Sequence, residues 1–296
     1  MFSPRGGFAT YLDPLLASLR SSGLGCRIAG HFLGALALAD DVILMSPSVQ
    51  GLQKLVSICE HHARATDLVF STDKKNPEKS KTMCIAFNHN KKVNLAPILL
   101  NGDCLPWKAK VNHLGFTLNS ECSSVNDVME KRANFISTVY SLNQEFAHCT
   151  PEIKLKMCRL YNTAFYGSNC WEFSSNQVDK FAKTWNVNLR IMYDLPRETH
   201  CWIVEELSGF RHFLHMIYSR FWKYLNVIKN NKRSFLRSMY TIVANDVKTL
   251  TGANIRKILL DTNLDPRCTS RYQLANWRVY QPDDTWSVLL LQQNIL

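Results

Sequence analysis

The ten cysteines of this 296-residue chain include no C-x-x-C pair, and no secretory h-region opens the sequence. Neither a zinc ribbon nor a disulfide-framed secreted domain is indicated. No apolar run reaches the roughly 18 residues a transmembrane helix needs. Internal repeats and low-complexity tracts are missing too, which removes solenoids and compositionally disordered tails. Acid is scarce, with 24 Asp+Glu against 35 Lys+Arg and a net charge of +11. Such a surplus favours polyanions such as nucleic acid or an anionic membrane surface, and speaks to partners rather than to fold. What is plentiful is hydrophobic residues, 46% of the chain, enough to fill one large or two ordinary domains. A soluble protein of a reducing intracellular compartment, nuclear or cytoplasmic and without membrane attachment, is expected. Cys59 with His61 or His62 could ligate zinc, but no second ligand pair stands at finger-like spacing, so ordinary core and surface roles are favoured.

Apolar residues at Ala9, Leu12, Leu15, Leu16 and Leu19 form a helical stripe that stops before Gly23 and Gly25, with Pro14 as its kink or first turn. "CRIAGHFLGALALADDVILM" reads as two β runs around a polar dipeptide, a hairpin signature. Ser46 is then expected to cap a helix with Pro47 at its first position and Leu52, Leu55, Val56, Cys59 and Ala63 along one face. A lysine-rich loop, "STDKKNPEKSKTM", leads to short strands around "CIAF", "APILLNGDCLPW" and "VNHLGFTL". From Asp127 the period changes to helical. Val128, Phe135, Val139, Leu142 and Phe146 line one helix. Thr150–Pro151 caps another carrying Ile153, Met157, Leu160, Ala164 and Phe165, stopped by Gly167. Helical periodicity persists to about Leu264, and the tail reads as irregular.

Within "LGALALADDVILMSPS", Asp40 and Asp41 place two carboxylates inside an apolar run. An Asp-Asp turn facing solvent is the plain explanation. The alternative is a metal site, because hard carboxylates on an anchored hairpin suit Mg²⁺ and a pair of such ions can stabilise both oxygens of a phosphoryl transfer. Two side chains from one turn cannot surround two ions, so a further carboxylate is required from another strand.

The order of features resembles the C-terminal half of a reverse transcriptase from a non-LTR, LINE-type retrotransposon. "ALADDVILMSPS" is similar to that family's palm hairpin and "LQKLVSICEHHARATDLVFS" to the helix after it. "KSKTMCIAF" resembles the next palm motif, "HLGFTL" the primer-grip hairpin, and "KRANFISTVYSLN" with "LYNTAFYGSNCW" the thumb helices and a YGSxxW segment. The likeness runs from residue 1 to about 225.

The resemblance implies an α+β fold. A partial palm, a small antiparallel sheet with helices, spans 1–120. A thumb-like helical region at 121–175, a basic helical extension at 176–264 and an irregular tail at 265–296 follow. It implies nucleotidyl transfer by an RNA-directed DNA polymerase of a transposable element, on an RNA template and a DNA primer, with Mg²⁺ or Mn²⁺ as cofactor. Asp40 and Asp41 would be the catalytic, metal-binding pair, Lys79 or Lys81 the triphosphate-facing lysine, and Leu114–Gly115 the primer grip. Two departures bear on this. The family's third metal-binding aspartate lies on a strand before the hairpin that has no counterpart here, and the fingers are absent, so the chain is expected to be inactive alone and to hold metal weakly. The aromatic residue ordinarily two positions before the first aspartate is Leu38.

Between Arg211 and Lys257 ten Lys/Arg face one acid, Asp246. Arg220, Lys223, Lys229, Lys232, Arg233 and Arg237 are the candidate contacts to a nucleic-acid backbone. The interleaved Phe213, Tyr218, Phe221, Trp222, Tyr224, Phe235 and Tyr240 are either stacking surfaces for bases or the buried stripes of amphipathic helices. A non-catalytic nucleic-acid-binding remnant and a decayed transposon reading frame stand beside the polymerase reading.

Overall fold

A computed structural model describes residues 4–39, 41–72, 80–87, 94–161, 165–209, 212–232, 234–262 and 287–292. The chain is mixed α and β, with small antiparallel sheets, and divides into two units. One comprises 1–113, 118–122 and 282–296, the other 114–117 and 123–281. Among the described residues no helix is long and apolar enough to cross a membrane.

In the first unit α1 (Pro4–Ser21) runs through Pro14 and buries Leu12, Leu15 and Leu19, as the stripe predicts. Two short strands, β1 (Arg27–Ile28) and β2 (His31–Phe32), form a small hairpin. The central sheet then begins with β3 (Ala35–Leu38) and β4 (Asp41–Ser46), joined in antiparallel register with Leu38 opposite Asp41. α2 (Val49–Ala65) follows, and its buried residues are Leu52, Leu55, Val56, Cys59 and Ala63. That is the face read from the periodicity, and fully burying a leucine or valine contributes roughly 1.5–3 kcal/mol.

The start of α2 differs from expectation. Its N-cap is Ser48, whose hydroxyl accepts from the Gly51 N–H. Ser46 is instead the last residue of β4, fully buried, and its hydroxyl donates to the Ser48 carbonyl at 2.9 Å. The strand holds Ser46, so the helix opens after Pro47 rather than with it.

Four short strands complete the sequential part of this unit: β5 (Met83–Ala86), β6 (Ile98–Leu100), β7 (Asp103–Leu105) and β8 (Lys110–His113). β6 and β7 pair with each other, and the Gln53 carboxamide on α2 satisfies the open edge of β6 by donating to the Leu99 carbonyl at 2.9 Å and accepting its N–H at 2.7 Å. β9 (Phe116–Asn119) forms a hairpin with β8.

The last described strand, β10 (Ser287–Gln292), lies in a stretch the sequence marks as irregular. It occupies the middle of the central sheet, whose order is β3-β4-β10-β5, and is antiparallel to both neighbours. β4 and β5 are therefore parallel to each other across it. Val42 and Leu44 on one face of β4 belong to the core formed with α1 and α2, whereas Ile43 on the other face packs with Ile85 and Val111.

The second unit is helical. α3 (Val125–Glu145) buries Val128, Phe135, Val139 and Leu142 as expected. α4 (Pro151–Tyr161) is present, but its buried face is shifted, although Met157 of the expected stripe packs against the core and Phe165 is buried beyond the helix end. Leu155 and Cys158 are inside, while Ile153 and Leu160 are 43% and 68% exposed. Two apolar stripes exist on this helix, and packing against α3 and α5 selects the other one. α5 (Asn176–Met192), α6 (Cys201–Ser208), α7 (Phe213–Lys229), α8 (Ser234–Asn245) and α9 (Leu250–Thr262) follow. Their core is aromatic, with Phe135 stacked on Trp185 at 4.7 Å and Phe181 tilted against Phe213 at 4.7 Å.

Candidate functional site

The β3–β4 turn is tighter than an Asp-Asp loop. Leu38 and Asp41 are already ladder partners, so only positions 39 and 40 connect the strands, with Ala39 left-handed at φ 53°. Positive φ at the first central residue is the hairpin-compatible geometry. Asp40 lies outside the described residues. Asp41 is the first residue of β4 rather than part of the turn, and it is half-buried. Leu38, in the place where the resembled family has an aromatic ring, is 58% exposed.

Alternation along β4 puts Asp41 on the same face as Ile43. β8 covers that face, with Val111 and His113 inward. His113 is 8% exposed, and among the described residues its Nδ1 has no hydrogen-bond partner. Burial holds its pKa below the ordinary 6.5, and the Asp41 charge opposes that shift. His113 was not singled out from the sequence, although its place in the alternation with Val111, one residue before Leu114–Gly115, is the signal that finds it.

Lys79 falls outside the described residues. Lys81 is exposed and enters β5 two residues ahead of Met83. Because Leu290 pairs with both Ile43 and Met83, positions 41 and 81 leave the sheet at the same end. Two strand spacings, roughly 10 Å, separate them. Asp41 and Lys81 thus stand at one end of the sheet, and His113, on β8 over that face, is near enough for the Asp41 charge to act on it. At that end β10 sets Gln292, an amide, opposite Asp41 in register. No group of three or more His, Cys, Asp or Glu able to hold a metal occurs among the described residues. Cys59 is fully buried in the core, the ordinary role favoured for it, and burial, with the Glu60 charge, pushes its thiol up to about 12.

Leu114 and Gly115 form the two-residue β8–β9 turn with φ 49° and 74°, both left-handed as a type I′ turn needs. A leucine in that conformation is costly, and its side chain stays exposed. Lys131 Nζ donates to the Gly115 carbonyl at 3.0 Å and so holds the turn against α3.

The YGSxxW segment is a structural knot. Gly167 has φ 83°, and a Cβ there would lie 2.6 Å from the Phe116 ring. Trp171, fully buried, donates from Nε1 to Asp127 Oδ2 at 2.6 Å, and the Thr117 N–H donates to Asp127 Oδ1 at 3.2 Å. Ser124 accepts the Glu172 N–H at 2.9 Å. Asn254 of α9 donates to the Trp171 carbonyl at 2.7 Å and accepts the Phe173 N–H at 3.0 Å. Asp127, Ser124 and Asn254 carried no sequence signal beyond being polar within apolar helices.

In the basic half, Phe213, Tyr218, Phe221, Trp222 and Tyr240 are buried, so these rings are core and not stacking platforms. Tyr224 remains 43% exposed and Phe235 half-buried. Lys223, Lys232 and Arg237 are exposed, and Lys229 is half-buried. Arg220 lies over the Phe165 ring at 5.3 Å, its pKa lowered by burial, which gives it a packing role within the unit. Arg233 lies outside the described residues. Lys257 pairs with Asp261 at 2.8 Å, and Asp261 also accepts from the Tyr218 hydroxyl at 2.6 Å. No protein-family model and no curated protein matches this chain.

Proposed function

We propose that the chain is part of the palm and thumb of a LINE-type RNA-directed DNA polymerase, one that binds nucleic acid but does not complete the two-ion site for nucleotidyl transfer by itself. The observation that carries this reading is the tight β3–β4 hairpin, at whose end Asp41 shares one end of the sheet with Lys81. Asp41, with Asp40 beside it in sequence, would hold Mg²⁺ or Mn²⁺, which would supply charge neutralisation at phosphate oxygens. With a donor set this small the ion is held weakly, and no catalytic step is assigned to it. Lys81 offers a point cation to a phosphate, and Leu114–Gly115 a rigid turn. Lys223, Lys232 and Arg237 offer sequence-independent contacts to a nucleic-acid backbone.

Primer extension with the purified chain and Mg²⁺ or Mn²⁺ tests the proposal. No incorporation is expected, together with binding of an RNA–DNA duplex. Three phosphate contacts weaken that binding about 40-fold between 50 and 200 mM salt. Replacing Lys223, Lys232 and Arg237 by Gln together should remove most of the salt dependence. Incorporation that disappears in Asp40→Ala would show a complete polymerase site and overturn the inactivity. Absence of duplex binding would remove the functional reading altogether.

A further inference from the structure

Strand β10 is the middle strand of a sheet whose other members all lie between residues 35 and 86. It follows the end of α9 by residues 263–286, and α9 belongs to the other unit. β3, β4 and β5 thus form a sheet with a slot one strand wide. β4 lines it over six register positions and β5 over four. Val42, Leu44, Cys84 and Ile85 flanking the slot are fully buried. Without an occupant, β4 and β5 would each expose the backbone edge that β10 now covers, which is the condition that drives strand addition.

We propose that this slot is a strand-exchange site, in which residues 287–292 of a second copy of the chain replace the resident β10. The ladder is made by backbone groups, so a slot in either copy takes the same segment in the same register. Reciprocal exchange leaves no open edge in either sheet, and the contact is self-complementary, as a two-fold dimer requires. The covalent link keeps the resident strand ahead at low concentration, since pairing within one chain has an effective concentration on the order of millimolar. In the exchanged pair the Gln292 opposite Asp41 comes from the second copy, so the end of the sheet that carries Asp41 is built from two chains.

The register provides the test. Leu289 is paired with Cys84, and antiparallel partners have Cα atoms about 4.5–5.5 Å apart, within disulfide range. Full-length Leu289→Cys chains, half of them labelled with ¹⁵N, are unfolded together and refolded at ~10 µM and at ~1 mM, then oxidised with diamide. The expected product is a bond between Cys84 and the thiol at position 289. Its inter-copy share, read as hybrid light–heavy peptides by mass spectrometry, should rise from roughly 1% to about half. Leu290→Cys, whose ladder partners are Ile43 and Met83, should give no bond to Cys84. Bonds confined to single copies at both concentrations would overturn exchange. Failure to form any bond to Cys84 would overturn the slot. Light scattering of the unsubstituted chain, put through the same refolding, guards against a folding defect. A dimer fraction that grows between the two concentrations is expected, and a chain that stays monomeric at ~1 mM refutes the proposal. None of these outcomes depends on whether the chain binds nucleic acid.

Discussion

Removing the Asp127 carboxylate should unravel the helical unit from its centre. Asp127 is 1% exposed in the first turn of α3 and accepts from Trp171 Nε1 at 2.6 Å and from the Thr117 N–H at 3.2 Å. Hydrogen bonds to a charged acceptor are worth roughly 1.5–3 kcal/mol each, and a favourable place near the helix N-terminus adds about 0.3–1 kcal/mol. In Asp127→Ala both donors lose this acceptor inside the core, so a loss of about 3–5 kcal/mol is expected. Asp127→Asn keeps one acceptor and turns an N–H toward the other donor, for a loss of about half as much. With a urea m-value near 2 kcal/mol/M, the alanine variant should shift the midpoint of the helical unit by about 2 M, followed by circular dichroism at 222 nm. A loss below about 1 kcal/mol for alanine would refute the account. Equal losses for the two variants would show that the acceptor geometry is not what matters.

Gly167→Ala introduces a Cβ against Phe116 at a left-handed position, and a destabilisation of about 1–3 kcal/mol is expected in the same urea assay; an unchanged midpoint counts against the packing described for this turn. Cys59, buried in the first unit with its thiol pushed up to about 12, should resist iodoacetamide at pH 8 while exposed Cys104 and Cys201 react. Rapid labelling of Cys59 in the folded protein would contradict its place in the core. Gln292→Asp sets a carboxylate opposite Asp41. It should destabilise the metal-free protein through like charges and tighten Mn²⁺ binding about tenfold or more, measured by electron paramagnetic resonance. An unaltered affinity would argue against that pairing.

Much of the architecture follows from local pattern. The apolar spacing of α2 specified its buried face residue by residue, since a 3.6-residue period in a strongly amphipathic segment leaves one solution. The β3–β4 hairpin was legible from two apolar β runs around a polar break, although its turn sits one residue earlier than the Asp-Asp pair suggests. That shift moves Asp41 from a solvent-facing loop onto a half-buried strand. α3 carried its core stripe in plain view, whereas α4 carried two stripes, and local pattern cannot choose between them. Burial of the aromatic residues in α7 was likewise undecided by a sequence in which rings and lysines alternate.

Pairings between distant residues were decided only in three dimensions. Nothing near "SVLLLQ" announces that it completes a sheet begun some 250 residues earlier. Nothing near Asp127 announces Trp171, or near Trp171, Asn254. Backbone ladders and buried hydrogen bonds have no sequence period of their own, because their partners are chosen by the packing that brings them together. The residue types of the Asp41 end were set by the sequence. That Lys81 and Gln292 share it with Asp41 was set by sheet order and register, and that His113 lies near it by the packing of β8 over that face.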